Sequence, residues 1–197
     1  MNTLTTGNSL AISLMPGNTA MRYAWLAFLA VAGTLVIAIA AKVQVPFWPV
    51  PMTLQTLAIF AIASAYGMRL AVATMVLYLL QGAAGFPVFA GKPEKGIGLL
   101  YMAGPTGGYL LGFVAMAAIA GWAADRGWSR NPLKLGAAML AGEAVMLVLG
   151  ALWLGYLFGA GKIVAYGVGP FIVTDLVKLS IAACLVPALW PALKRKA

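Results

Sequence analysis

Six apolar runs, parted by sparse charges, fill most of the chain: residues 23–41, 52–68, 70–81, 105–124, 135–157 and 169–193. Apolar residues make up 63% of the 197, and charged ones only 9%, where a soluble domain carries about 25%. Runs this long and this close together need lipid around them. In lipid each backbone N–H and C=O must be paired within the structure, so the runs are helices. A crossing of ~30 Å takes about 20 helical residues, which the longer runs supply. The third is short, and Gly82, Gly85 and Pro87 argue that it stops near Gln81. The expected fold is therefore an all-α integral membrane protein, a bundle of six transmembrane helices with long outer loops, occupying residues 22–197 as a single domain. Residues 1–21 are rich in Ser, Thr and Asn and carry no charged side chain. They lack the basic start of a signal peptide and are expected to form a short mobile tail.

The net charge of +9 would suit a nucleic-acid partner if it formed a patch. It does not. Lys and Arg residues stand singly or in small groups between apolar runs, as the positive-inside rule predicts. With six crossings, eight of them (Arg22, Arg69, Arg126, Arg130, Lys134, Lys194, Arg195, Lys196) fall on the side of the termini. Four (Lys42, Lys92, Lys95, Lys162) fall on the other. The rule makes the first side cytoplasmic, so both termini are expected inside, in the cell (inner) membrane. Cys184 is alone and reads as a small core residue. There is no His, which removes most metal sites and most general bases.

The outer loops are distinctive. KVQVPFWPVPMTLQ (42–55) has three prolines, which favour a stiff, extended chain. Its Phe47 and Trp48 fit two readings, a cover over a pocket or an aromatic belt at the interface. QGAAGFPVFAGKPEKGIGLLYMAGPTGGY (81–109) is long and glycine-rich, a length that suits a lid.

Asp175 and Lys178 lie inside the last apolar run. A lone charge at a helix centre costs roughly 2.5–3.5 kcal/mol. Three residues apart, the two share a helix face and can pair. One reading is a structural ion pair; the other, favoured because a buried pair stabilises poorly, is a functional site. By helical rise Asp175 sits roughly 9 Å and Lys178 roughly 13 Å below the outer end of its helix. Gln55, Gln81, Thr106 and Tyr109 begin or end their spans on the same outer side, so polar groups converge there. Glu143 falls near mid-depth, either reaching toward Lys178 and the same cavity or standing as a satisfied structural carboxylate. Asp offers acceptors and Lys donors. Together they complement a solute with N–H donors beside a carbonyl, such as a cyclic urea, and the aromatic and Met residues suit an apolar body.

Enzymatic readings fail on spacing. GFPVFAGKP resembles a phosphate loop only faintly: Gly85 and Gly91 are one residue too far apart, and Pro93 replaces the Ser or Thr. Ser180 and Lys178 point apart on a helix, so no nucleophile–base dyad forms. Small-residue pairs such as Gly108/Gly112, Ala117/Gly121 and Ala137/Ala141 would let helices pack closely.

Four motifs in order, VPFWPVPMTLQ (45–55), GFPVFAG (85–91), GPTGGYLLGF (104–113) and GPFIVTDLVK (169–178), closely resemble the BioY family. Its members are the biotin-binding membrane subunits (S components) of energy-coupling-factor vitamin transporters. The resemblance runs from about residue 22 to the C-terminus. It implies capture of biotin from outside, with Asp175 and Lys178 on the ureido ring. It also implies contacts from Phe89, Ala90 and Gly91, and from Thr53 and Gln55 after the Pro-rich loop. Tyr109, Gln81, Glu143, Phe47 and Trp48 complete the expected solute-binding set. Implied partners are a transmembrane coupling subunit and two cytosolic ATPases, which alone would use ATP; no cofactor and no catalytic residue are expected in this chain. The small-residue stripe with which the family docks its coupling subunit is only partial, at Ala20/Ala24 and Ala30/Thr34. Lys92 and Lys95 are candidates for the solute's carboxylate on charge alone. The alternative class is a solitary or proton-coupled secondary transporter of a small amphipathic solute, with Glu143 or Asp175 carrying the proton.

Overall fold

A computed structural model describes residues 9–45, 49–91, 97–159, 161 and 163–194. Its six principal helices are α2 (Thr19–Lys42), α3 (Gln55–Tyr66), α4 (Met68–Ala83), α6 (Gly107–Asp125), α7 (Pro132–Phe158) and α8 (Gly169–Lys194). Two short ones, α1 (Leu10–Ser13) and α5 (Leu99–Ala103), and a hairpin of β1 (Gln44–Val45) and β2 (Met52–Thr53) complete the set. A 3-10 turn (Trp128–Arg130) precedes α7, and a π-helical turn (Ile163–Val168) precedes α8.

Helix starts follow local chemistry. Asn18 caps α2, its side chain accepting from the Ala20 N–H at 2.9 Å. Asn131 caps α7, accepting from the N–H groups of Leu133 and Lys134, with Pro132 in the first turn. Gly67, at φ 80°, is the whole connection between α3 and α4. A Cβ there would be strained and would also collide with Asp125.

Among the described residues, four helices are long and apolar enough to cross a membrane: α2, α6, α7 and α8. α3 has 12 residues and α4 has 16, so they rise only about 18 and 24 Å. Both are shorter than the bilayer's hydrocarbon, and the second run, expected over 52–68, loses its first residues to the hairpin. Outward faces are apolar, with Phe28, Val31, Leu35 and Ile39 of α2 and Val173 and Val177 of α8 exposed, as lipid contact requires.

α6 lies at the centre, packed against α7, α4 and α3. Small residues set those approaches. A Cβ on Gly112 would stand 2.7 Å from Met146 Cα of α7, and one on Gly121 2.6 Å from the Met68 backbone of α4. The small-residue pairs of α6 thus sit at helix contacts, where they let backbones approach.

Other expectations need correction. Within the mobile tail expected over 1–21, one short stretch is packed: Ser9 Oγ donates to the Tyr66 carbonyl at 3.2 Å, and Leu10 and Ala11 are buried, while Ser13, Leu14 and residues 17–21 are exposed. The tail's first eight residues lie outside those described. The long loop after α4 contains α5, and the 158–168 loop contains the π turn. Cys184 is exposed on α8, among exposed Ile181 and Leu185; its face of the helix is the outward one.

Candidate functional site

The site forms where α8 meets the start of α3 and the hairpin. Lys178 Nζ lies 2.6 Å from Asp175 Oδ1. The same ammonium donates to the Thr53 carbonyl at 2.6 Å, so α8 grips the end of β2. Thr56 Oγ1 of α3 donates to Asp175 Oδ1 at 3.0 Å. Oδ1 therefore accepts twice, while Oδ2 is buried and accepts from nothing among the described residues. Asp175 is 1% exposed. A buried charged oxygen without a donor costs on the order of 1–3 kcal/mol or more, so Oδ2 has acceptor capacity to spare at the cavity's edge.

Gln55 opens α3 and is buried. Its Nε2 donates to Tyr78 O–H at 2.8 Å, and Tyr78 O–H donates to the Val88 carbonyl at 2.9 Å. This relay ties α3 and α4 to segment 86–90. Tyr109 O–H donates to the Gly167 carbonyl at 2.6 Å, tying α6 to the π turn. Between these groups lies a cavity of about 30 Å³, walled by Thr53, Gln55, Ala90, Tyr109, Asp175 and Lys178 together with apolar Val50, Phe113, Met146 and Phe171. It has room for a water or two. On the hairpin's other side is an apolar groove of about 230 Å³, lined by Val43, Val45, Met52 and Leu54 and again by Thr53 and Lys178. The Lys178–Thr53 bond lies in the wall between the two.

Thr53, Gln55, Ala90, Tyr109, Asp175 and Lys178 are thus brought to one cavity. Others expected there are not. Phe89 stacks on Tyr101 at 5.1 Å and meets Tyr78 edge-on at 5.5 Å. Its ring covers Gly82, which has no side chain to displace it. Its carbonyl takes the Lys42 ammonium at 2.6 Å, so Phe89 positions Ala90 instead of lining the void. Gly91 faces Tyr101, outside the cavity. Gln81 is half-buried at the end of α4 and off the lining, because that helix turns Tyr78 and Gly82 inward. Phe47, Trp48, Lys92 and Lys95 lie outside the described residues. Glu143 of α7 is 4% exposed and neither of its oxygens has a hydrogen-bond partner among the described residues. It is not part of the cavity lining, but Met146, one turn along the same helix, is.

The sequence reading missed Thr56 and Tyr78. Thr56 follows Gln55 at the start of α3, and Tyr78 is a hydroxyl inside an apolar run; both were legible as polar groups on helices already in play.

Comparison with known proteins places this geometry in context. The profile of the BioY family matches residues 15–195. The biotin transporter BioY2 of Lactococcus lactis subsp. cremoris is 33% identical over 163 residues, 82% of this chain and 87% of that protein. The biotin transporter BioY of Thermotoga maritima is 35% identical over 153 residues, 77% of this chain and 88% of that protein. In fold, the chain resembles the crystal structure at 2.1 Å of the S-component for biotin from an ECF-type ABC transporter. That match has a TM-score of 0.76 at 20% identity, covering 89% of this chain and 95% of the other.

Proposed function

The chain belongs to the BioY family, and on that premise we propose that it takes up biotin across the cell membrane as the solute-binding subunit of an energy-coupling-factor transporter. It is a multi-pass membrane protein. The single observation that carries the assignment of the site is the buried Asp175–Lys178 pair with Asp175 Oδ2 left without a donor at the edge of a cavity. A ureido ring supplies what is missing: its N–H groups donate to the carboxylate, and its carbonyl accepts from the ammonium.

Thr53, Gln55, Ala90 and Tyr109 are then the polar and small-residue walls around the ring. Phe89, Gly91 and Gln81 act at one remove, by packing. A cavity of about 30 Å³ is far smaller than a vitamin, so capture requires segment 49–53 to move outward. The Lys178–Thr53 bond is the contact that movement breaks.

In this reading all six principal helices cross the bilayer, the α3–α4 pair with local thinning or tilt, and both termini are cytoplasmic. The chain brings no nucleotide site of its own. Transport energy comes from a coupling subunit and two cytosolic ATPases that it must contact.

The test is calorimetry of the purified protein in detergent. Biotin binds the native chain, and Asp175→Asn weakens binding by more than about tenfold, or ~1.4 kcal/mol. Unchanged affinity in Asp175→Asn removes the assigned role. Mass spectrometry of small molecules released from the denatured protein checks the ligand independently.

A further inference from the structure

The solute-binding reading leaves one buried charged group without a task. Glu143 is nearly sealed from solvent at 4% exposure, and both of its oxygens lack a partner among the described residues. The other carboxylate oxygen in that condition is Asp175 Oδ2. The two carboxyl groups come from neighbouring helices: Gly136 of α7 meets Ala183 of α8 and Gly155 meets Ile163 just before α8, a pairing that sets Glu143 level with Asp175, and Met146, one turn along α7 from Glu143, lines the cavity that Asp175 borders.

As two carboxylates they would be acceptors only, set face to face. The charged groups that α8 brings to the level of Glu143 are Asp175 and Lys178. From α6, Met116 packs against Gly142 beside it, while Tyr109 and Asp125 lie toward that helix's two ends. Arg130, before α7, is held over Trp190. Two buried negative charges against one ammonium leave an excess that a low-dielectric interior penalises heavily. One proton pairs two of the three unpartnered oxygens and removes one of the two negative charges: a carboxyl O–H is a donor, and two neighbouring buried carboxyl groups do not both ionise.

We propose that Glu143 and Asp175 share one proton, with the Glu143 O–H donating to Asp175 Oδ2, and that solute capture is linked to it. Glu143 is then a positioning residue. Its O–H occupies one lone pair of Oδ2 and leaves the other for a solute N–H, while Oδ1 keeps Lys178 and Thr56. Loss of the proton places a second anion beside Asp175 and draws the ammonium from its post. The protonated form is the binding form, so affinity falls as the proton leaves at high pH. The proton is exchanged with water through the cavity that Asp175 borders.

The binding arm of the test rests on the biotin reading; the spectroscopic arm does not. In the native protein the dissociation constant for biotin rises by about tenfold per pH unit beyond the point where the proton is lost. In Glu143→Gln, whose amide donates without titrating, it stays flat over the same range. Infrared spectra of the native protein show a protonated-carboxyl C=O stretch that bleaches at alkaline pH and is missing in Glu143→Gln. If Glu143→Gln does not fold, Asp175→Asn substitutes: the same stretch shifts in frequency as its acceptor changes. Superimposable pH profiles in two binding-competent proteins, or no such band in the native one, overturn the proposal. A native protein that binds no biotin yet shows the band defeats the functional reading and leaves the shared proton standing.

Discussion

At the scale of residues, the ion pair of α8 does two jobs whose energetics oppose each other. Asp175 Oδ1 is satisfied by Lys178 and Thr56, which holds it in place. Oδ2 keeps a lone pair free for a solute donor, which costs stability. Removing one member of a buried pair strands the other charge, a loss of about 3–5 kcal/mol. Lys178→Met therefore lowers the thermal unfolding midpoint in detergent, and the double variant Asp175→Asn/Lys178→Met recovers most of it while still failing to bind biotin. Circular dichroism and calorimetry on the same samples separate the two effects. Thr56→Val keeps the shape and loses one hydrogen bond to a charged group. It costs about 1.5–3 kcal/mol, measured in the same melts. The pair was legible in the sequence because charge inside an apolar run has few bland explanations. Phe89 and Gln81 do not line the cavity, because a motif tells which segment nears a site, while packing decides which side chain faces it. Gly82 draws the Phe89 ring away, and sequence alone does not reveal that.

At the scale of elements, long helices were predictable and short ones were not. α2, α6, α7 and α8 declare themselves by apolar runs of 18 residues or more, and Asn18 and Asn131 mark two of their starts. α5 and the π turn depend on contacts from afar. Trp153 Nε1 donates to the Gly104 carbonyl just past α5, and Tyr109 O–H holds Gly167. The hairpin was read only as extended chain; its pairing of Gln44 with Thr53 comes from bringing the Pro-rich segment back on itself. Close helix approach offers a direct test. Gly121→Val puts a branched side chain 2.6 Å from the Met68 backbone. Overpacking of this kind costs about 1–3 kcal/mol, and backbone cannot yield as a side chain does, so the thermal midpoint drops and the α4–α6 contact opens. Substitution of Gly161, where a Cβ meets nothing within 4 Å, leaves the midpoint unchanged.

At the scale of the whole molecule, the prediction concerns sidedness. The positive-inside count puts residues 126–134 in the cytoplasm and 158–168 outside. With the native Cys184 first replaced by Ser, Gly161→Cys reacts with a membrane-impermeant maleimide on intact cells, and Leu133→Cys, at an 84% exposed position, reacts only after permeabilisation. The reverse pattern inverts the topology. The smallness of the cavity has a kinetic corollary. A receptor whose pocket must first unlatch meets its solute no faster than it opens, so its association rate falls below the diffusional range. Tight retention then has to reside in slow escape. Such a protein works as a trap with a long dwell time, and whatever supplies the energy for delivery must force the release that the trap by itself almost never grants.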